Sequence, residues 1–196
     1  KVNDAQRIRR LPILVLSNGV HAVFAALTGG STIILYYNEL GLNKAQIGLI
    51  GSLIHVFGPI AFLFGPLAMR VGLKRAGILF FGFRKVTITL LALAPWLAVH
   101  YSSSVVFPFI VLILVTYGIA RVLAETALYP WMLEVIPNSV RGQFEAFSGM
   151  ASTACALAGI AIASHVIASN TGFGRFQMLI LIGGAIGVVS VLLLLF

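Results

Sequence analysis

The stretch VVFPFIVLILVTYGIARVLAETALYPW, residues 105–131, decides the fold class because it is apolar over more than the thickness of a membrane. A transmembrane helix needs about 20 consecutive, mostly apolar residues. Only Arg121 and Glu125 carry charge in this run. The stretch therefore predicts a membrane-spanning helix that holds two charges away from water.

Similar apolar runs fill the rest of the chain. Hydrophobic residues make up 60% of the 196 residues and charged residues only 9%, whereas a soluble domain carries about 25% charged residues. The pattern predicts an all-α integral membrane protein in which residues 1–196 form one bundle of six transmembrane helices. The predicted spans cover residues 12–36, 47–67, 78–99, 105–131, 143–168 and 176–196.

The net charge of +8 predicts topology and not nucleic-acid binding, because the basic residues lie between apolar runs and form no basic face. Lys and Arg collect in cytoplasmic loops. One side holds eight of them, at positions 1, 7, 9, 10, 70, 74, 75 and 141, and the other side holds Lys44 and Arg175. We therefore expect a multi-pass protein of the cell membrane whose N-terminus and even-numbered span ends are cytoplasmic.

The spans differ in character. The fifth carries small residues at helical steps, which allow close helix contact, and the second contains Gly58-Pro59, which predicts a bend. Both are therefore expected at an interface, whereas the sixth is predicted to face lipid. A weak sequence similarity between residues 71–75 and 171–175 is compatible with a three-plus-three inverted repeat. The small residues of the fifth span are Gly149, Ser152, Ala156, Gly159 and Ala163.

Two loop motifs add a family resemblance. The segment GPLAMRVGLKR, residues 65–75, resembles the motif G-x-L-x-D-R-x-G-R-K/R between helices two and three of the major facilitator superfamily, with Met69 at the acidic position and Leu73 at a basic one. The segment EVIPNSVRG, residues 134–142, resembles the loop after helix four in sugar porters and other branches. The order, spacing and charge of all six spans fit the same family.

The resemblance implies the N-terminal half of a twelve-helix secondary transporter that works by alternating access. The C-terminal six-helix half is expected to be absent from this chain and to be its partner, with lipid around both. Helices one and four would line the central cavity, two and five would meet the other half, and three and six would be peripheral. The motif residues to which it gives gating roles are Gly65, Arg70, Gly72, Lys74, Glu134, Pro137, Arg141 and Gly142.

Arg121 and Glu125 are the leading candidates for chemistry. They are one helical turn apart and share a helix face, and a charge at the bilayer centre costs roughly 2.5–3.5 kcal/mol on insertion scales. One reading is a structural pair whose charges cancel. The other is a cavity-lining pair in which Arg121 binds an anionic group, since a guanidinium donates two parallel hydrogen bonds, and Glu125 moves a proton.

The first span carries a polar stripe that includes Ser17, His21 and Thr28. His21 reads either as a hydrogen-bonded interhelical histidine or as a residue that contacts substrate or couples protonation. Arg84 and Lys85 fall inside the third span and are expected to snorkel toward its cytoplasmic end, with a role as ligands as the less favoured alternative.

Two other classes of membrane protein compete with the transporter. A channel or self-assembling six-helix module is the alternative, although no span repeats a pore-lining filter sequence. A membrane-embedded enzyme is less favoured, because the sequence has no nucleophile–base or metal-ligand motif. We therefore expect no enzyme activity, cofactor or metal. The substrate is expected to be a small molecule, with anionic and sugar-like compounds, symport, antiport and proton coupling all open.

Overall fold

The structure, a computed structural model, describes residues 8–101 and 103–195. Within these ranges every regular element is a helix. Five of the spans are long and apolar enough to cross a membrane, and a pair of shorter helices completes a sixth crossing if its two bent parts are one span. The predicted all-α, multi-pass class is therefore confirmed.

In the part of the chain that the structure describes, nine α-helices form the spans. The first span joins α1 (Leu11–Thr28) to α2 (Gly30–Glu39), and the second joins α3 (Lys44–Val56) to α4 (Ile60–Val71). The third runs from α5 (Leu73–Thr89) through a 3-10 turn (Leu90–Leu93) to α6 (Ala94–His100). The last three are α7 (Ser103–Val135), α8 (Arg141–Ser169) and α9 (Gly174–Leu195). Each predicted span lies within its helices, except that Phe196 falls outside the described residues.

Among the described residues, three spans are interrupted. The second bends by 44° between α3 and α4, at Gly58-Pro59, which confirms the predicted bend. The first breaks at Gly29, whose backbone is extended, and this break was not predicted. In the third span the 3-10 turn frees backbone carbonyls, and other spans supply donors to them. Tyr36 Oη donates to the Leu91 carbonyl at 2.6 Å.

Glycines set how the helices pack. A Cβ at Gly187 of α9 would lie 2.7 Å from Phe24 Cδ2, so the sixth span packs tightly on the first. Its glycines therefore face the bundle, and only the rest of its surface is open to lipid. In α8, a Cβ at Gly159 would lie 2.8 Å from Ala26 Cβ. That part of the small-residue face packs against the first span and is not open to another unit, contrary to prediction.

The apolar interior forms two main clusters. One includes Phe24, Tyr36 and Ile110, and the other includes Phe81 and Leu128. Lys85 Nζ lies over the rings of both Phe24 and Phe81. The charged residues of the third span therefore lie where the two clusters meet, well inside the bundle.

Candidate functional site

Glu125 in α7 holds two arginines through one carboxylate oxygen. Arg121 Nε donates to Glu125 Oε1 at 2.8 Å from one turn earlier in the same helix. Arg84 Nη1 of α5 donates to the same oxygen at 3.3 Å. The glutamate side chain is 55% exposed and that of Arg84 only 5%. The pair predicted from sequence is therefore part of a three-residue cluster that extends from an open face into the interior.

Arg84 also reaches the first span. Its Nη2 lies 3.2 Å from Nε2 of His21, and its guanidinium carbon lies 4.5 Å from the centroid of the Phe81 ring. The Arg84 guanidinium thus joins its own span, the third, to two others, because Glu125 belongs to the fourth span and His21 to the first. A planar group with five donors suits such a junction.

Lys85 is the most deeply buried charged residue described, with no exposed surface. Its Nζ lies 2.5 Å from Nδ1 of His21 and 3.4 Å from the centroid of the Phe24 ring. Gly187 of the sixth span makes room for the lysine stem, because a Cβ there would lie 3.1 Å from Lys85 Cδ. Ring faces attract a cation, so the pocket can hold the side chain in either protonation state.

These positions show that the snorkelling prediction for Arg84 and Lys85 is wrong. Both point into the bundle, where Arg84 is 4% and Lys85 0% exposed. A buried charge needs partners, and here the first and fourth spans supply them. The available signal was the absence of any acid in the third span, which means that two consecutive basic residues there had to find contacts elsewhere.

Two cavities lie beside the cluster. One, of about 570 Å³, is lined by Glu125 with Phe81 and Tyr129. The other, of about 620 Å³, lies between the first, second and fourth spans and includes Phe24 and Tyr117 in its wall. The charged cluster thus has open space on the Glu125 side and on the Phe24 side.

A comparison with solved structures finds a similar fold. The match is titled "Crystal structure of a bacterial homologue of iron transporter ferroportin in outward-facing state with soaked iron". The TM-score is 0.73 at 22% identity over 95% of this chain, which spans only 45% of that protein. The fold is therefore like that of half of a major facilitator transporter. No family model matches the sequence, and no curated protein matches it.

The three candidate polar residues of the first span differ in their contacts. Ser17 is buried and its Oγ donates to the Ser190 carbonyl of the sixth span at 2.8 Å. Thr28 is also buried and its Oγ1 donates to the Phe24 carbonyl of its own helix at 2.8 Å. Both hydroxyls therefore have structural contacts, and their role along a substrate path stays a prediction. Of the stripe, the structure joins His21 to Arg84, Lys85 and, through Arg84, to Glu125.

The loop between the second and third spans depends on Gly72. Its φ is 101°, a conformation that favours glycine, and its carbonyl accepts from Ala76 N as α5 begins. Lys74 Nζ donates to the Leu195 carbonyl at 3.3 Å, so it links this loop to the end of the sixth span. Gly65 lies within α4 and Arg70 is exposed near its end. The gating roles of these residues stay predictions.

Arg141 joins the fourth span to the fifth. Its Nη2 donates to the Leu133 carbonyl at 2.9 Å and to the Ile136 carbonyl at 3.3 Å. Pro137 is buried in the turn, and Glu134 and Gly142 are exposed at its two ends. The motif thus holds two helix ends together, and its gating role stays a prediction.

At the other end of the bundle, Arg175 binds helix-end carbonyls in the way that Arg141 does, and the sequence did not predict this role. Its Nη1 donates to the carbonyls of Ile167 and Asn170, eight and five positions earlier, which are the offsets that Arg141 uses. Its Nη2 pairs with Glu39 at 2.5 Å. The signal in the sequence is an arginine in the first turn of a span that follows a short loop.

Proposed function

We propose that this chain is the N-terminal half of a secondary transporter that moves a small anionic solute by alternating access. The observation that carries the proposal is the cluster of Arg84, Arg121 and Glu125, which is buried at one end and open at the other. Two guanidinium groups share one carboxylate, so the cluster keeps a positive charge and attracts an anion. A planar carboxylate or a phosphate fits guanidinium donors.

The proposed partner is a second six-helix unit. The major facilitator fold of the match extends over a chain of which this protein spans 45%. The fifth span has the least covered surface, with 11% of its most apolar stretch buried, and the second exposes Phe62 and Leu63 almost completely. We propose that these two spans meet the second unit and that the Glu125 side of the cluster opens into the space between the halves.

The test is uptake by the full-length protein in proteoliposomes. The probes are radiolabelled inorganic phosphate, a monocarboxylate and a dicarboxylate, with a neutral hexose as the contrasting class. We expect saturable uptake of at least one anion and a fall of about tenfold or more with Arg121→Gln, since losing a hydrogen bond to a charged group costs roughly 1.5–3 kcal/mol. Lys44→Gln removes a cation from an exposed position and is the matched control, with uptake expected to stay at the wild-type level.

Two outcomes would overturn the proposal. Hexose uptake that Arg121→Gln leaves intact would exclude an anionic substrate, and flux that does not saturate would favour a channel. Arg121→Gln is a sharper variant than replacing both Arg121 and Glu125 with leucine. The double replacement removes the carboxylate that Arg84 also uses, so a loss of folding would obscure the loss of transport.

A further inference from the structure

We propose that His21 and Lys85 form a proton-binding pair that couples a proton to the bound anion. The inference rests on the proposed function and names the coupling ion for the same site. It is drawn from the hydrogen-bond geometry around one imidazole ring. Both ring nitrogens have a basic side chain within hydrogen-bond distance, Arg84 at Nε2 and Lys85 at Nδ1.

Arg84 fixes the role of the first nitrogen. A guanidinium is always protonated and can only donate, so Nε2 of His21 must accept its hydrogen bond. A neutral imidazole has one acceptor nitrogen and one N–H. The ring proton is therefore on Nδ1, and this N–H points to Lys85 Nζ at 2.5 Å. An imidazolium is excluded, because it would set two donors against each other at Nε2.

The amine of Lys85 must then accept. Only an uncharged amine has the lone pair that takes a hydrogen bond from Nδ1–H. The pocket suits that form, because Lys85 has no exposed surface and burial away from water costs an ammonium far more than a neutral amine. In this conformation the pair is thus one proton short of its fully loaded state.

Loading the pair moves one proton through the ring. A proton binds Nε2 on the side where Arg84 and Glu125 lie, the Nδ1–H bond breaks, and that hydrogen forms the third N–H bond of the Lys85 ammonium. Lys85 then donates to Nδ1, and Nε2–H can no longer accept from Arg84. The net change is one added proton and one broken Arg84–His21 hydrogen bond.

The charges around the pair link this step to the anion. His21 is close to Arg84 of the third span and to Arg121 of the fourth. Arg84 in turn is close to three residues of the fourth span, Tyr117, Arg121 and Glu125. The sixth span contributes Gly187 to this region of the described bundle. Before loading, two guanidinium cations and one carboxylate leave a net charge of +1, and loading raises it to +2. The released Arg84 gains freedom to bind the solute, so proton and anion favour each other's binding.

The ring proton can be observed without any substrate. Full-length protein with 15N-labelled histidine, in lipid bilayers, is studied by solid-state NMR, and the His21 signal is assigned by its loss in His21→Gln. We expect the tautomer with the proton on Nδ1 at neutral pH, and a switch to Nε2–H as the pH falls and Lys85 becomes charged. Lys85→Met has no amine to take up the proton, so its His21 should not show the switch to Nε2–H at the pH where the wild type does. Nε2–H or an imidazolium in the wild type at neutral pH would overturn the proposal, and so would a switch to Nε2–H that persists in Lys85→Met.

Transport provides the second readout. For the anion taken up among the phosphate and carboxylate probes, an inward proton gradient should drive accumulation in the wild type. Lys85→Met should lower this accumulation about tenfold more than it lowers solute exchange without a gradient, within the usual range of coupling factors. Accumulation that ignores the gradient would overturn proton coupling. If no probe anion is transported, the proposed function fails, while the NMR result still decides the state of the pair.

Discussion

At the scale of single residues, one carboxylate oxygen organises the cluster. Glu125 Oε1 accepts from Arg121 of its own helix and from Arg84 of the third span. Arg84 cannot lose its proton and is almost fully buried, so it depends on this carboxylate and on His21 for compensation. The glutamate side chain is 55% exposed and lines the cavity beside it.

Glu125→Gln should therefore destabilise the protein. The amide keeps the shape but removes the charge that Arg84 and Arg121 share, so we expect a loss on the order of 2 kcal/mol, less than for a fully buried pair because Glu125 is half exposed. Thermal unfolding of the full-length protein in detergent measures it. Glu145→Gln, which removes an exposed carboxylate of the fifth span, is the control. Equal unfolding temperatures for the two variants would contradict the prediction.

At the scale of helices, two kinds of contact hold the spans together: arginine side chains at helix ends and glycines at helix crossings. Arg141 and Arg175 each bind carbonyls at the end of the preceding helix, and both use the same offsets of eight and five residues. These carbonyls have no partner within their own helix. Glycines provide the second kind of contact, since without a hydrophobic force between helices in lipid, close backbone contact supplies the packing energy.

The glycine contacts give a matched pair of substitutions. Gly187→Ala places a methyl group within 2.7 Å of Phe24 Cδ2, and we expect destabilisation of about 1–3 kcal/mol from overpacking. Gly149→Ala has no atom within 4 Å of the new methyl, and we expect no loss and a gain of up to about 1 kcal/mol from helix propensity. Thermal unfolding of both variants checks the difference. A Gly187→Ala protein as stable as Gly149→Ala would show that the sixth span does not pack as described.

At the scale of the whole molecule, loops alternate between two ends. The Lys74 and Arg141 contacts lie at one end, and the Arg175–Glu39 pair lies at the other. The first end carries most of the basic residues, and the positive-inside bias assigns it to the cytoplasm. This orientation stays a prediction, as does the three-plus-three inverted repeat.

Cysteine labelling tests the orientation. In a Cys155→Ala background, a single cysteine replaces Arg75 or Asn138 at the first end, or Lys44 or Asn170 at the other, all four being exposed positions. A membrane-impermeant maleimide added to intact cells should label positions 44 and 170 only. Labelling of positions 75 and 138 in intact cells would reverse the topology, and labelling of positions 44 and 75 together would contradict six crossings.

The sequence by itself determined the class of the protein. The apolar runs, the bend at Gly58-Pro59 and the loop motifs follow from local composition, because a membrane span must be apolar over its whole length and satisfy its own backbone hydrogen bonds. The Arg121–Glu125 contact could also be predicted, since it joins residues one turn apart in a single helix. These features need no knowledge of which helix lies beside which.

Only the tertiary structure decided where the other charges go. Arg84 and Lys85 looked like snorkelling residues, and the structure buries them against His21 of the first span and Glu125 of the fourth. The contacts join residues 41 to 64 positions apart, so they depend on helix neighbours and rotation, which apolar periodicity does not specify. A uniformly apolar span can pack with any face inward, and here Gly187 of the sixth span leaves the space for Lys85.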